Sequence, residues 1–553
     1  MLVVIMALAR TLLRPAAWAA GRHASRQAKE FLAAHQRTRQ VQDRLLERLL
    51  AAGGASAFGR DHGLGRVRSY ADFVSAVPIG DYEARRPYLR RVYEGDAQAL
   101  FAPGTEVLMF AMTSGTTGAP KHIPVTKRFL ADYRRGWNIF GVRVLRDHPR
   151  GWLRQIVTIA SSARESTSPT GLPCGAISGM LSETQKWIVR RMYPVRRAAA
   201  EIAEPVDRYY AVMRSAIARD VGLLTTANPS SAIKLAQTAR DHAERLIRDV
   251  RDGTLSPPGG GLGELSRAFR FRRDRPAARR LEDIRRRRGE LLPRDFWDLT
   301  CLTMWTGGTV ALYLPQVRAF YGDVPTRDVG LLASEGRMSV PLADGAPAGV
   351  AEITSNFLEF VPVEQIDRGD PDVLRADEVK PGDEYFIILT NWAGLWRYHI
   401  DDRVRVTDRL GSSPVIEFLS RGLHTSSITG EKLTEHQVVE AMRRVQRRAD
   451  APVELFTLQG HFAETPYYEL RVEQRQGLDA ATLADRLDEA LRGMNVEYEA
   501  KRASGRLRPI RATGVRAGFF EAWEREQTAA HRGRAEQYKH KYLLTEVVND
   551  NER

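Results

Sequence analysis

The stretch that most limits the fold is "EYFIILTN", Glu384–Asn391, a near-continuous apolar run entered through "KPGD". It is the length of a strand, and its lack of polar alternation requires cover on both faces. "EVLMFAM" (106–112) and "PVIEFLSR" (414–421) read as further strands, with long helical stretches between them at Ile202–Ile217 and Ser231–Val250. Strands interleaved with helices predict an α/β core. Near the N-terminus, "QRTRQVQDRLLERLLA" sets Val41, Leu45 and Leu49 at i, i+4, i+8 with Leu46 and Leu50 beside them. That spacing predicts one helix with an apolar face against the core.

After Arg421 the texture changes. "TGEKLTEHQVVEAMRRV" opens a helix with a capping box, Thr434 followed three residues later by Gln437. "PVELFTL" and "YYELRVE" read as strands, and "LDAATLADRLDEALRGM" as a second helix. The chain is therefore expected to hold a large N-terminal domain, 1–420, with mixed sheets and helices, and a small C-terminal α+β domain, 421–553, joined near Arg421.

Composition narrows the partners. The net charge of +15 and pI near 9.9 raise nucleic acid or an anionic surface. Only ten of the 83 basic residues are Lys, and the arginines are spread along the chain among acids. This is a composition bias, not a binding stripe, and no nucleic-acid partner is expected. The densest run, "FRFRRDRPAARRLEDIRRRRGE", reads as a solvated helical insertion. Cys174 and Cys301 lie far apart and make no disulfide framework, so a cytoplasmic setting is the expectation. The N-terminal "MLVVIMALARTLLRPAAWAAGRHASR" lacks a basic region before its apolar part, and Arg10 and Arg14 interrupt it. An amphipathic helix is expected there, with no membrane span.

The candidate chemistry starts at "MTSGTTGAPKHIPVT". A strand running into Thr113, Ser114, Gly115, Thr116, Thr117 and Gly118, then Lys121, offers backbone N–H groups, hydroxyls and an ammonium. These are the groups that hold phosphate oxygens. The spacing is not that of a Walker loop.

The order T-S-G-T-T-G-x-P-K resembles the phosphate loop of the adenylate-forming superfamily, which includes acyl-CoA synthetases, peptide-synthetase adenylation domains and firefly luciferase. That resemblance requires three further elements in order. "VGLLASEGRMS" supplies Ser334 and Glu335, "GLWRYHIDDRVRV" supplies Asp402, and "EFLSRGLH" supplies Arg421. Their surroundings are similar to one branch, the Gretchen Hagen 3 acyl acid amido synthetases, through "FGRDHGL", "DFVSAVPIGDYE", "TTANPSS", "FLEFVP", "AGLWRYHIDDRVRV" and "SSITGEKLTEHQV". The likeness runs from about Val41 to Lys541.

The resemblance implies that ATP converts a small carboxylic acid to an acyl adenylate, releasing pyrophosphate. An amine, commonly an amino acid, then displaces AMP and leaves an amide. Transfer to a CoA or carrier-protein thiol is the nearest alternative, and a non-catalytic anion binder a remote one. Thr113–Thr117 with Lys121 would hold the departing phosphates, Glu335 would bind Mg²⁺ with Ser334 near the α-phosphate, and Asp402 would accept the ribose hydroxyls. Arg421 would lie at the hinge of a mobile small domain. Lys432 lies just inside that domain, and Lys539 in "EQYKHKYL" would serve adenylation.

The chain departs from the family pattern in two places. His399, Ile400, Asp401 and Asp402 stand where the family usually has Arg-x-Gly-Asp, so Asp401 replaces a glycine; Glu536 stands where a glycine would precede Gln537 and Lys539. The acyl pocket is expected among "SSARESTSPTGLPCGAISGM" and "LTMWTGGTVALY", with Trp305 either lining it or packed in the core. A monomer or weak oligomer is expected.

Overall fold

Glu384–Asn391 is a strand over its whole length, with every residue but Glu384 buried. In the computed structural model it lies within a seven-stranded sheet, flanked by Asn356–Pro362 and Tyr398–Leu410 and antiparallel to both. The structure describes residues 19, 21–113, 120–185, 187–307, 313–366, 368–422, 425–446, 453, 455–475, 477–520, 522–523, 526 and 541–550, less the side chains of 113, 187, 188, 420, 421, 436, 443 and 446. The amphipathic N-terminal helix expected over the first residues falls mostly outside this set.

Two compact units are present: Met1–Met112 with His122–Leu419, and Thr113–Lys121 with Ser420–Arg553. The first holds the antiparallel sheet and a parallel one, made of Gln155–Thr158, Val221–Thr225, Cys301–Thr303 and Thr326–Arg327 in that order. Helices connect the parallel strands, as a parallel sheet requires. The mixed α/β class is thus met by two kinds of sheet. The expected helix Ser231–Val250 is two helices, Pro229–Asp241 and Ala243–Asp252, broken at His242. The arginine-rich run forms the helix Arg275–Arg288, which buries only Ala278 and Leu281.

In the second unit the expected strand pair is present as Phe456–Phe462 and Tyr467–Glu473. Two more strands, Arg511–Val515 and Leu543–Asn549, extend this hairpin in parallel on either side. Their alternation is too weak to mark them in the sequence. The capping box is formed: the Gln437 N–H donates to Thr434 Oγ1 at 3.2 Å, and the Thr434 N–H to Gln437 Oε1 at 3.1 Å.

The helix Thr38–Gly53 buries Leu45, Leu46 and Leu49 as its spacing predicts. It also buries Gln42, whose amide donates to the carbonyls of Ile353 and Asn356 and accepts from the Leu358 N–H. One polar side chain thereby ties this helix to a strand edge. Just before the helix, His35 is fully buried and its Nδ1 lies 2.8 Å from Ser413 Oγ. The Ser412 N–H donates to the His35 carbonyl at 2.8 Å. Gly411 makes that approach possible, because at φ +59° a Cβ would stand 2.4 Å from the same carbonyl oxygen. Among the described residues no helix is long and apolar enough to cross a membrane.

Burial lowers the His35 pKa to about 4. The unfolded chain therefore binds a proton near pH 6.5 that the folded one refuses until about pH 4, and stability falls as pH drops through that window. A shift of this size corresponds to roughly 3 kcal/mol. In urea titrations from pH 7 to 4, His35→Gln is expected to flatten that part of the stability profile.

Candidate functional site

The strand Tyr398–Leu410 begins at a buried charge. Arg397 Nε donates to both carboxylate oxygens of Glu359, at 3.0 and 3.1 Å, and Tyr70 donates to the same carboxylate at 2.8 Å. Arg397 Nη1 caps the carbonyl of Val77 at 2.9 Å, and the Arg397 carbonyl accepts from Gly80. Burial pushes the Glu359 pKa up, while Arg397 and Tyr70 pull it down. The pair fixes where the strand starts and which segment runs beside it.

Three residues later the strand bulges. Phe386 faces Arg403 and Ile388 faces His399, so Ile400, Asp401 and Asp402 stand opposite Ile387 alone. Bulges bend a strand and re-aim its side chains. Asp401 takes φ +70°, the left-handed region, and Asp402 is buried. The replacement of the family's glycine is thereby explained: the position needs a positive φ, which aspartate enters more readily than most non-glycine residues.

Ser334 and Glu335 form the two-residue tip of a hairpin between Leu332–Ala333 and Gly336–Arg337. The Glu335 side chain is fully buried, and neither carboxylate oxygen has a hydrogen-bond partner among the described residues. An ionised carboxylate in that position costs several kcal/mol unless a cation compensates it. Two tyrosines feel it. Burial raises the Tyr133 pKa to about 12, with Glu335 adding to the rise; Tyr82 is raised by burial first, with a smaller contribution from Glu335. The Tyr82 hydroxyl accepts the His122 N–H at 3.1 Å, and Thr126 Oγ1 donates to the Trp392 carbonyl at 3.0 Å. Gly80 bridges to Tyr398. Around Tyr82 the structure therefore gathers the Glu335 hairpin, the strand that follows the hydroxyl-rich loop, and the start of the strand bearing Asp402.

The other predicted residues are placed as follows. Thr113 closes the strand Val107–Thr113, and Lys121 opens Lys121–Thr126 with its side chain buried. Ser114, Gly115, Thr116, Thr117 and Gly118 lie outside the described residues, as do Lys539 and the side chains of Thr113 and Arg421. Arg421 ends the strand Ser413–Arg421. Lys432, in the smaller unit, has φ +50° and follows Glu431, whose carboxylate accepts from the N–H groups of Ile428 and Thr429 and from the hydroxyls of Thr429 and Tyr468.

Trp305 donates to the Gly330 carbonyl at 3.0 Å and packs against a core that includes Phe31 and Ile139. Of the two roles expected for it, core packing is the one these contacts describe. Cys301, His148 and Asp344 lie within 4.8 Å of one another, but Arg327 already donates to Asp344 at 2.7 Å and burial pushes the Cys301 thiol up to about 12. The ion pairs there are matched without a metal. Reading the sequence missed Tyr82, Tyr133 and the Glu359–Arg397 pair, because single polar residues in apolar surroundings carry no periodic signal.

The whole fold is similar to the solved structure of GH3.15 acyl acid amido synthetase, with a TM-score of 0.65, 20% identity and 94% of each chain covered. A second structure, AtGH3.15 acyl acid amido synthetase in complex with 2,4-DB, matches with a TM-score of 0.63 at 20% identity, covering 95% of this chain and 94% of that one. These place the chain in that structural class. Family models described as GH3 family N-terminal, central and C-terminal domain match residues 27–326, 350–421 and 436–547, so the chain belongs to the GH3 family.

Among sequence relatives, indole-3-acetic acid-amido synthetase GH3.8 of Oryza sativa subsp. indica is 24% identical over 510 residues, 87% of this chain and 84% of its own. The 4-substituted benzoates-glutamate ligase GH3.12 of Arabidopsis thaliana is 23% identical over 523 residues, 87% of this chain and 89% of its own. Jasmonoyl--L-amino acid synthetase JAR4 of Nicotiana attenuata is 23% identical over 427 residues, 73% of each chain.

The geometry of the bulge gives a direct test. Asp401→Gly keeps the fold, whereas Asp401→Val, β-branched in a left-handed position, is expected to lose about 1–2 kcal/mol relative to it in urea unfolding.

Proposed function

We propose that this chain is an ATP-dependent acyl acid amido synthetase. It adenylates a small carboxylic acid with release of pyrophosphate, then passes the acyl group to an amine, an amino acid by the family pattern, with loss of AMP. The observation that carries this reading is the buried carboxylate of Glu335 at its hairpin tip, which has no hydrogen-bond partner among the described residues. In a member of this family such a group suits a divalent cation paired with a triphosphate, since oxygen ligands are what Mg²⁺ takes.

The residues divide the work by chemistry. Glu335 is the proposed holder of Mg²⁺, which when bound neutralises phosphate charge and favours attack at the α-phosphate. Asp402, with two carboxylate oxygens, suits the two ribose hydroxyls. Thr113, Ser114, Gly115, Thr116, Thr117 and Gly118 with Lys121 are the proposed cradle for the departing phosphates, with Ser334 beside the α-phosphate. Lys539 and Lys432 are the proposed cationic groups of the C-terminal domain, residues 421–553, and Arg421 its hinge. The carboxylate oxygen of the substrate attacks phosphorus and pyrophosphate leaves. The amine nitrogen then attacks the acyl carbon and loses a proton, and AMP leaves with the bonding pair of the broken acyl–phosphate anhydride. Three relatives named as acid–amine ligases favour an amine over a thiol as acceptor.

ATP–pyrophosphate exchange over a panel of aryl, indolyl, fatty and amino acids tests the first half-reaction, and mass detection of an amide on adding amino acids tests the second. Exchange with one acid class followed by an amide is the expected result. A thioester formed with CoA in place of an amide, or no ATP binding, overturns the proposal. Asp402→Ala is expected to abolish ATP-induced thermal stabilisation while the unliganded protein melts as before, and Glu335→Gln to lower exchange by about 10²-fold or more. Unchanged ATP affinity in Asp402→Ala would sink the ribose assignment.

A further inference from the structure

A carboxylate buried without a partner should turn outward unless its backbone is pinned. The Glu335 hairpin is paired at Gly336 opposite Ala333 and Arg337 opposite Leu332, and at its base the Leu331 carbonyl accepts the Met338 N–H at 2.8 Å. Two asparagine side chains complete it. Asn391, the last residue of the buried strand Glu384–Asn391, donates from Nδ2 to the Glu335 carbonyl at 2.7 Å and to Asn356 Oδ1 at 3.0 Å. Its own Oδ1 accepts the Ala393 N–H at 3.0 Å. Asn356, the first residue of the neighbouring strand, donates from Nδ2 to the Arg337 carbonyl at 2.7 Å.

Both amides are almost fully buried, and each makes donor and acceptor bonds, so the network has no slack in which to rotate. The two carbonyls they hold flank Gly336. A Cβ on that residue would stand 2.9 Å from Asn356 Oδ1 and 3.2 Å from Asn391 Nδ2, so the pair also packs flat against the hairpin backbone. Arg337 adds an anchor on the far side, its guanidinium donating to the Val329 carbonyl at 2.8 Å and lying over the Trp137 ring.

We propose that Asn391 and Asn356 are positioning residues for Glu335: they clamp the carbonyls on either side of Gly336 and hold the carboxylate, desolvated, in the direction that receives the divalent cation of ATP. This rests on the reading of Glu335 as the cation ligand. Groups that orient a metal ligand through hydrogen bonds govern affinity as the ligand does, and their loss weakens metal binding by about 10–100-fold.

The test follows Mn²⁺ binding to the full chain in the presence of a non-hydrolysable ATP analogue, with the free ion read by electron paramagnetic resonance. Mg²⁺ dependence of pyrophosphate exchange is measured beside it. Asn391→Leu keeps the volume and removes the amide; Gly336→Ala presses on the clamp from the other side and carries the test if the first variant does not fold. The expected result is an ion Kd raised by about tenfold in both folded variants, with kcat lowered and the KM of the carboxylic acid unchanged; the unfolding midpoint without nucleotide falls as well, because buried groups lose their partners. An unchanged ion Kd in these variants, while Glu335→Gln raises it, overturns the clamp alone. An unchanged Kd in Glu335→Gln overturns the cation-ligand reading and the clamp with it.

Discussion

The ion pair between Arg397 and Glu359 is the interaction on which the rest of the larger unit turns. Both side chains are almost wholly out of water, at 3% and 0% exposure, within the seven-stranded sheet. Such a pair contributes little net stability over a hydrophobic substitute, but breaking it leaves a bare charge at a cost of about 3–5 kcal/mol. Its effect is therefore on geometry. With Nε on Glu359 and Nη1 on Val77, Arg397 can occupy one place only, and its φ of +40° shows the backbone bent to reach it. Gly80, two residues before Tyr82, is drawn into register with the Arg397 carbonyl and the His399 N–H.

From that anchor the site is built by local irregularities rather than by regular structure. The bulge at Ile400–Asp402 turns one carboxylate inward, and the hairpin tip at Ser334–Glu335 presents another. Each lies next to a segment fixed by a polar side chain inside an apolar core: Arg397 for the bulge, the asparagine pair for the hairpin. Rigid strands supply the reference frame, and short strained or tightly turned pieces supply the candidate functional groups.

The sequence was legible where physical periodicity is strong. The unalternating run Glu384–Asn391 is a strand covered on both faces, the leucines at i, i+4 spacing mark the buried stripe of Thr38–Gly53, and the Thr434–Gln437 box starts a helix. It was not legible where a single polar residue decides the packing. Gln42 lies on an apolar stripe and reads as an exception to it, yet it makes three hydrogen bonds to a strand edge. Arg511–Val515 and Leu543–Asn549 carry too little alternation to be seen as strands, because they are largely exposed or half-buried edge strands whose neighbours supply the hydrogen-bond template. At His242 the backbone leaves the helical region, at φ −114° and ψ 24°, and divides a pattern that reads as continuous along the chain.

By itself the sequence determined the α/β class, the family, and the order of the candidate chemical groups, because hydrophobic runs and motif spacing are properties of neighbours along the chain. Folding in three dimensions was needed to place Asp401 in a left-handed position at a bulge, to bury Glu335 without a hydrogen-bond partner among the described residues, and to bring Asn391 and Asn356 together. Burial, desolvation and hydrogen bonding across 35 residues of chain arise from packing, and no local pattern of residues fixes which distant polar groups will be brought together out of water.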